Sequence, residues 1–164
     1  MITTKVFQAL LATTLLLATI ALMPLQAEAA VHKTARIQMT GVLEVSNGTK
    51  IKNVEFEING NATCENNVMT FKGLRAIMTV DGKSQRTSLV WIRDIDDHTT
   101  RYSITTKSLG RLLVTSNYYG LVDCAYITLN GGLFVRENVG SLNVDGVVYQ
   151  INSEVGYTGF RYLQ

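Results

Sequence analysis

Few residues in this 164-residue chain have the types and spacing that suit chemistry. Asp94, Asp96, Asp97 and His98 form the acidic cluster, carboxylates at alternating positions beside an imidazole. Oxygen-rich loops suit Ca2+ and imidazole suits transition metals, so a bound ion is one reading of this segment. It lacks EF-hand spacing and has no Gly at the sharp-turn position, and Arg93 and Arg101 flank it. A solvated, locally neutralised loop between strands is the other reading. Tyr118, Tyr119 and Tyr157 are candidate stacking platforms for a sugar or another small ligand. Carboxylate pairs for hydrolysis would be Glu55 with Glu57, or Asp94 with Asp123, and nothing in their spacing makes either pair converge across a cleft. His98 with Asp96 or Asp97 has no serine to orient, because the G-x-S-x-G signature is missing. Phosphate loops, dinucleotide fingerprints and zinc spacings are also missing, so no catalytic residue is nominated and, Ca2+ at the acidic loop aside, no cofactor is implied.

Cys64 and Cys124 are the two cysteines, and their pairing depends on the compartment. The N-terminus carries Lys5, then an uncharged Leu- and Ala-rich run over 6–23, then Pro24 and the small-residue site Ala27-Glu28-Ala29. That grammar predicts a hydrophobic signal helix over residues 1–29, cleaved after Ala29. A run of about 18 apolar residues nearly spans a bilayer, so a retained anchor is the alternative and the only route to a membrane. Export predicts a secreted, periplasmic or cell-surface protein, in which Cys64 and Cys124 form a disulfide. Closing a loop of about 60 residues would stabilise the fold by roughly 4 kcal/mol on the chain-entropy model. Asn47-Gly48-Thr49 and Asn61-Ala62-Thr63 match the glycosylation sequon, which matters only in a host that glycosylates exported proteins. Turn residues doing turn work is the alternative reading of both.

Residues 30–164 then make one all-β domain. The formal net charge is +2 with basic residues dispersed, which excludes the electrostatic footprint of a nucleic-acid binder. Alternation places Ile37, Met39, Leu43 and Val45 on one face, and Val54, Phe56 and Ile58 on one face of the return strand. The change of apolar phase after Ile51 predicts a bulge near Lys52 and Asn53, behind a three-residue loop at 46–48 that sets Leu43 opposite Ile51. Residues 59–63 read as a loop.

Asp81-Gly82 and Asp145-Gly146 read as two-residue hairpin turns. The first sets Val80 opposite Lys83, Leu74 opposite Leu89 and Phe71 opposite Ile92; the second sets Val144 opposite Val147 and Leu142 opposite Tyr149. Residues 89–92 are apolar on both faces, which predicts a central strand with Trp91 in the core. Residues 116–120 read as a loop displaying Tyr118 and Tyr119, residues 121–129 as a strand, and the segment with Phe160 and Tyr162 as an edge strand. Thirteen glycines and no Pro after Pro24 complete the pattern. The fold expected is an antiparallel β-sandwich, or partly closed barrel, of about ten short strands joined by Asx-Gly hairpins.

Two non-catalytic functions follow. The first is a surface or extracellular structural protein that interacts with itself or with another surface protein through edge strands. The second is a small carbohydrate- or ligand-binding module. A secreted hydrolase comes third.

Overall fold

A computed structural model describes residues 33–65, 68–96, 98–119 and 132–163. Nine antiparallel strands lie among them: β1 (Lys33–Ser46), β2 (Ile51–Glu65), β3 (Val68–Val80), β4 (Lys83–Thr87), β5 (Val90–Asp96), β6 (Thr99–Thr105), β7 (Arg111–Tyr118), β8 (Gly132–Val144) and β9 (Val147–Leu163). They form a single sheet in the order β4-β3-β2-β1-β9-β8-β7-β6-β5. The outermost strands, β4 and β5, are consecutive in the chain and separated only by Ser88 and Leu89. Two ends of a sheet joined by two residues must meet, so the sheet curls into a nearly closed barrel, the second of the two arrangements expected.

Closure is made by side chains and a strand that changes partner. Residues 83–87 pair with β3, and from Leu89 onward the chain pairs with β6 instead, beginning with the Thr105 N–H donated to Leu89 O at 2.9 Å. Thr87 Oγ1 donates to Thr105 O at 2.7 Å and accepts from Leu89 N, while Gln85 Oε1 accepts from both the backbone and the hydroxyl of Ser108. Pairing between β3 and β4 therefore stops at Ala76↔Thr87, and neither Leu74 with Leu89 nor Phe71 with Ile92 forms a pair. The tip of that hairpin is as expected, with Val80↔Lys83 closed by Asp81 (φ 50°) and Gly82 (φ 80°). Asp145 and Gly146 close the last hairpin in the same way, with Leu142↔Tyr149 buried beneath it.

Period-2 alternation selects the interior. Ala35, Ile37, Met39, Leu43 and Val45 face inward from β1, and Val54, Phe56, Ile58, Ala62 and Cys64 from β2. No bulge interrupts this hairpin near Lys52. The ladder runs unbroken from Lys33↔Cys64 to Ser46↔Ile51 around a loop at 47–50, where Asn47 Oδ1 accepts from Thr49 N and Lys50 N. Leu43 consequently faces Val54, and Ile51 is left outside, 63% exposed. One wet Ile costs less than a ladder residue without a partner. Residues 59–63, expected as a loop, continue β2.

The bulges fall elsewhere. Gly73, at φ 64°, adds a residue to β3 between Asn59↔Arg75 and Asn61↔Lys72, so inward residues switch from Met69 and Phe71 to Leu74, Ala76, Met78 and Val80. In β9, residues 152–155 stand against Glu44 alone between Leu43↔Gly156 and Val45↔Ile151, a register shift of three that moves the inward phase from Tyr149 and Ile151 to Thr158, Phe160 and Tyr162. β9 is thus an inner strand held between β1 and β8, not an edge.

β5 is an end strand, and Trp91 points outward from it at 38% exposure, because Val90 and Ile92 take the inward positions. Residues 116–118 are not a loop: β7 runs through Tyr118. The interior carries a polar patch as well as apolar side chains. Asn138 Oδ1 accepts from Ser116 Oγ at 2.7 Å and from Thr158 Oγ1 at 2.9 Å, and Ser116 Oγ reaches Tyr102 OH at 3.3 Å. All four side chains are buried, and burial pushes the Tyr102 phenol well above its ordinary pKa.

Candidate functional site

The structure disperses most of the residues nominated from sequence. Tyr118 is buried, 4% exposed, with its hydroxyl 2.9 Å from Thr100 Oγ1, while its neighbour Tyr119 is 74% exposed beyond the end of β7. They do not form a joint platform. Asp94 and Asp96 lie on β5 either side of an irregularity in its pairing with β6, His98 lies in the turn that follows, and Asp97 falls outside the described residues. No three His, Cys, Asp or Glu side chains converge among the described residues. Asn47 lies exposed in the turn after β1, where its Oδ1 accepts from Thr49 and Lys50, and Asn61 lies exposed within β2. Cys64 faces the interior, 3% exposed; Cys124, Asp123, the signal segment over 1–29 and the strand expected over 121–129 lie outside the described residues.

Tyr157 behaves differently. It is 64% exposed on the outer face of β9, and register aligns it with the carboxylates of β2. One cross-strand row reads Tyr157, Val42, Glu55, Thr79, Ser84 from β9 through β1, β2 and β3 to β4. The next reads Gly159, Thr40, Glu57, Ile77, Arg86 on the same five strands. Side chains in such rows stand about 5 Å apart, within reach of one ligand. Gly159 carries no side chain, which leaves a step beside Tyr157. The result is a groove of ≈ 260 Å³ lined by Thr40, Val42, Glu55, Glu57, Thr79 and Tyr157, with Ile77 at its far wall.

Ile77 is shared with a second depression of ≈ 450 Å³, lined by Asn59, Arg75, Arg86, Thr87 and Ser88 at the point where β4 parts from β3. Sequence reasoning missed this half of the face. Counted from the inward Phe71, Arg75 would also point into the barrel, and only the extra residue at Gly73 turns it outward. A Gly two residues ahead of an Arg was the sole signal.

The electrostatics of the two halves differ. Glu57 accepts from Asn59 Nδ2 at 2.7 Å and from Gln38 Nε2 at 3.0 Å, and these bonds hold its carboxyl below the usual range against a smaller opposing effect of burial. It is therefore an ionised acceptor held between Asn59 of its own strand and Gln38 of β1, and poorly suited to act as a general acid, which needs a raised pKa. Arg75 and Arg86 make no ion pair among the described residues, where the ion pair present is Lys52 with Asp81 at 2.7 Å. Tyr157 offers a π face, Glu55, Glu57, Thr40 and Thr79 offer hydroxyl partners, and two guanidinium groups lie beyond Ile77.

The end strands are less suited to adding a further strand. β4 carries Lys83 and Arg86 and β5 carries Arg93, charges of the kind that discourage it. Comparisons of the chain with protein-family models, with curated proteins and with solved structures find no match.

Proposed function

We propose that this protein is an exported, non-catalytic binding protein of the cell surface, periplasm or extracellular space, and that its ligand is an oligosaccharide lying across the outer face. The observation that carries the reading is Tyr157 exposed in one groove with Glu55, Glu57 and two threonine hydroxyls. A sugar presents an apolar ring face with hydroxyls around its edge, and this lining presents an aromatic platform with acceptors around it. Cleavage after Ala29 and a Cys64–Cys124 bridge belong to the same proposal. The bridge would tie β2, from the inward side, to the segment between β7 and β8.

The test titrates protein recovered from the exported fraction against a panel of oligosaccharides, for the wild type and Tyr157→Ala. Intact mass should place its N-terminus at Ala30 and show the two hydrogens gained on reduction of a disulfide. Binding should weaken at least tenfold in Tyr157→Ala, about 1.4 kcal/mol. A wild type silent to the whole panel, or a variant that binds equally well, overturns the glycan reading. Assembly through end strands is the second reading, favoured by the exposed Leu89, Trp91 and Ile95 along β5 and its approach. Oligomers that dissociate in Trp91→Ser, together with silence to glycans, would turn the assignment to it.

A further inference from the structure

Resting on that glycan reading, we infer that the ligand is acidic, and that the Arg75 and Arg86 depression is the subsite for its carboxylate or sulfate group. Three features of the face converge on this. Two guanidinium groups from adjacent strands line one depression, and neither meets a carboxylate among the described residues. The carboxylate nearest in register is Glu57, paired with Ile77 and diagonal to Arg75; its Oε1 accepts from Gln38 of β1 and Asn59 of its own strand, and among the described residues it forms no ion pair with either arginine. Ser88, exposed at the rim, adds a hydroxyl donor.

Guanidinium groups present paired N–H donors that match two oxygens of a carboxylate or sulfate, which a lone hydroxyl cannot use. The same depression borders the Tyr157 groove, with Ile77 as their shared wall. From β9 to β4 is four interstrand steps, ~19 Å at about 4.8 Å each. A short chain of sugars crossing the strands would stack one ring on Tyr157 and deliver an acidic group of a later ring between the arginines. Glu55 and Glu57 would meanwhile repel an acidic group from the Tyr157 end, which fixes the polarity of the chain.

The experiment compares a neutral oligosaccharide ending in a single uronic acid with its methyl ester, the same backbone with the charge removed, and adds the same oligosaccharide carrying one terminal sulfate as a third arm. Wild-type protein should bind the acid at least tenfold more tightly than the ester at low salt, and the ratio should shrink as salt rises, because the contact is exposed to screening. Arg75→Gln with Arg86→Gln should erase the preference while leaving binding of the ester within about twofold. Arg36→Gln, an exposed β1 arginine outside both depressions, should preserve it. All three substitutions lie at exposed positions, and an unchanged melting temperature shows that the fold survives. A sulfated arm that gains equally assigns the subsite to anions in general; an arm that gains nothing restricts it to carboxylates, and both support the site. Equal binding of acid and ester by the wild type, or a preference that outlasts loss of both arginines, overturns this inference and leaves the Tyr157 reading standing. Silence of the wild type to every sugar ends both.

Discussion

Replacing Asn138 by Ala tests the polar patch inside the barrel. Asn138 Oδ1 accepts two hydrogen bonds, from Ser116 Oγ at 2.7 Å and Thr158 Oγ1 at 2.9 Å, and all three side chains are buried. Truncation removes this shared acceptor and with it both hydrogen bonds. The two hydroxyls are 3.5 Å apart, too long for a good O–H···O bond, and their alternative partner, Tyr102 OH, is shared: Ser116 reaches it at a long 3.3 Å and Thr158 also bonds to it. The two buried hydroxyls thus keep only poor or shared bonds, at about 1–3 kcal/mol, and the lost amide leaves a cavity that adds to it. We expect a loss of about 2–4 kcal/mol. Urea unfolding of residues 30–164 should read this as a midpoint lowered by about 1–2 M with an unchanged slope. Thr158→Val removes one donor without opening a cavity, so a cycle of the two substitutions should be non-additive by about 1 kcal/mol, the double variant costing less than the sum. A loss below about 0.5 kcal/mol for Asn138→Ala, or strict additivity, would falsify the claim that the three side chains act as one network.

Two further perturbations follow from packing and charge. Gly41→Ala would place a methyl group 2.3 Å from Phe56 Cε1 and 2.8 Å from Thr158 Cγ2, and Phe56 already leans on Tyr102 with centroids 5.4 Å apart, so over-packing of about 1–3 kcal/mol should lower the melting temperature by several degrees. An unchanged melting temperature would mean that the Phe56 ring yields freely. Hydrogen bonding from Lys52 holds the Asp81 carboxyl below the usual aspartate range, so its contribution is complete above about pH 4 and is lost as pH falls through the lower folded value. Lys52 is raised by the same bond, and its share fades only as pH climbs past its ordinary range. Asp81 is exposed and Lys52 half-buried at the surface, so Asp81→Asn should cost at most about 1 kcal/mol at neutral pH and flatten the acid limb of a stability profile; an acid limb identical to the wild type would rule out this linkage.

Local pattern was legible throughout the chain. Inward Ile37, Met39, Leu43, Val45, Val54, Phe56 and Ile58, and the two Asp-Gly turns, follow from stereochemistry that acts between adjacent residues: side chains alternate, and only certain residues accept a positive φ. Tyr157 was legible as an exposed aromatic, and Glu55 and Glu57 as outward carboxylates. Their meeting was not. Cross-strand rows depend on register accumulated over several hairpins, and a single inserted residue shifts everything beyond it by one face.

Gly73 illustrates the difference. It reverses the parity of Arg75, and with it creates the cationic half of the groove, although nothing within a few residues distinguishes it from an ordinary turn glycine. Trp91 shows the same limit from the other side. Residues 89–92 look buried on both faces when read alone, yet the chain changes partner there and leaves β5 at the end of the sheet, with Trp91 in water. What the amino-acid sequence determined by itself was an all-β chain, its two Asp-Gly turns and the inward set of the first hairpin, because these rest on nearest-neighbour geometry. Which strands became neighbours, where the barrel closes and which outward side chains share one groove were decided only in three dimensions, because those depend on how the backbone ladders close around a common interior.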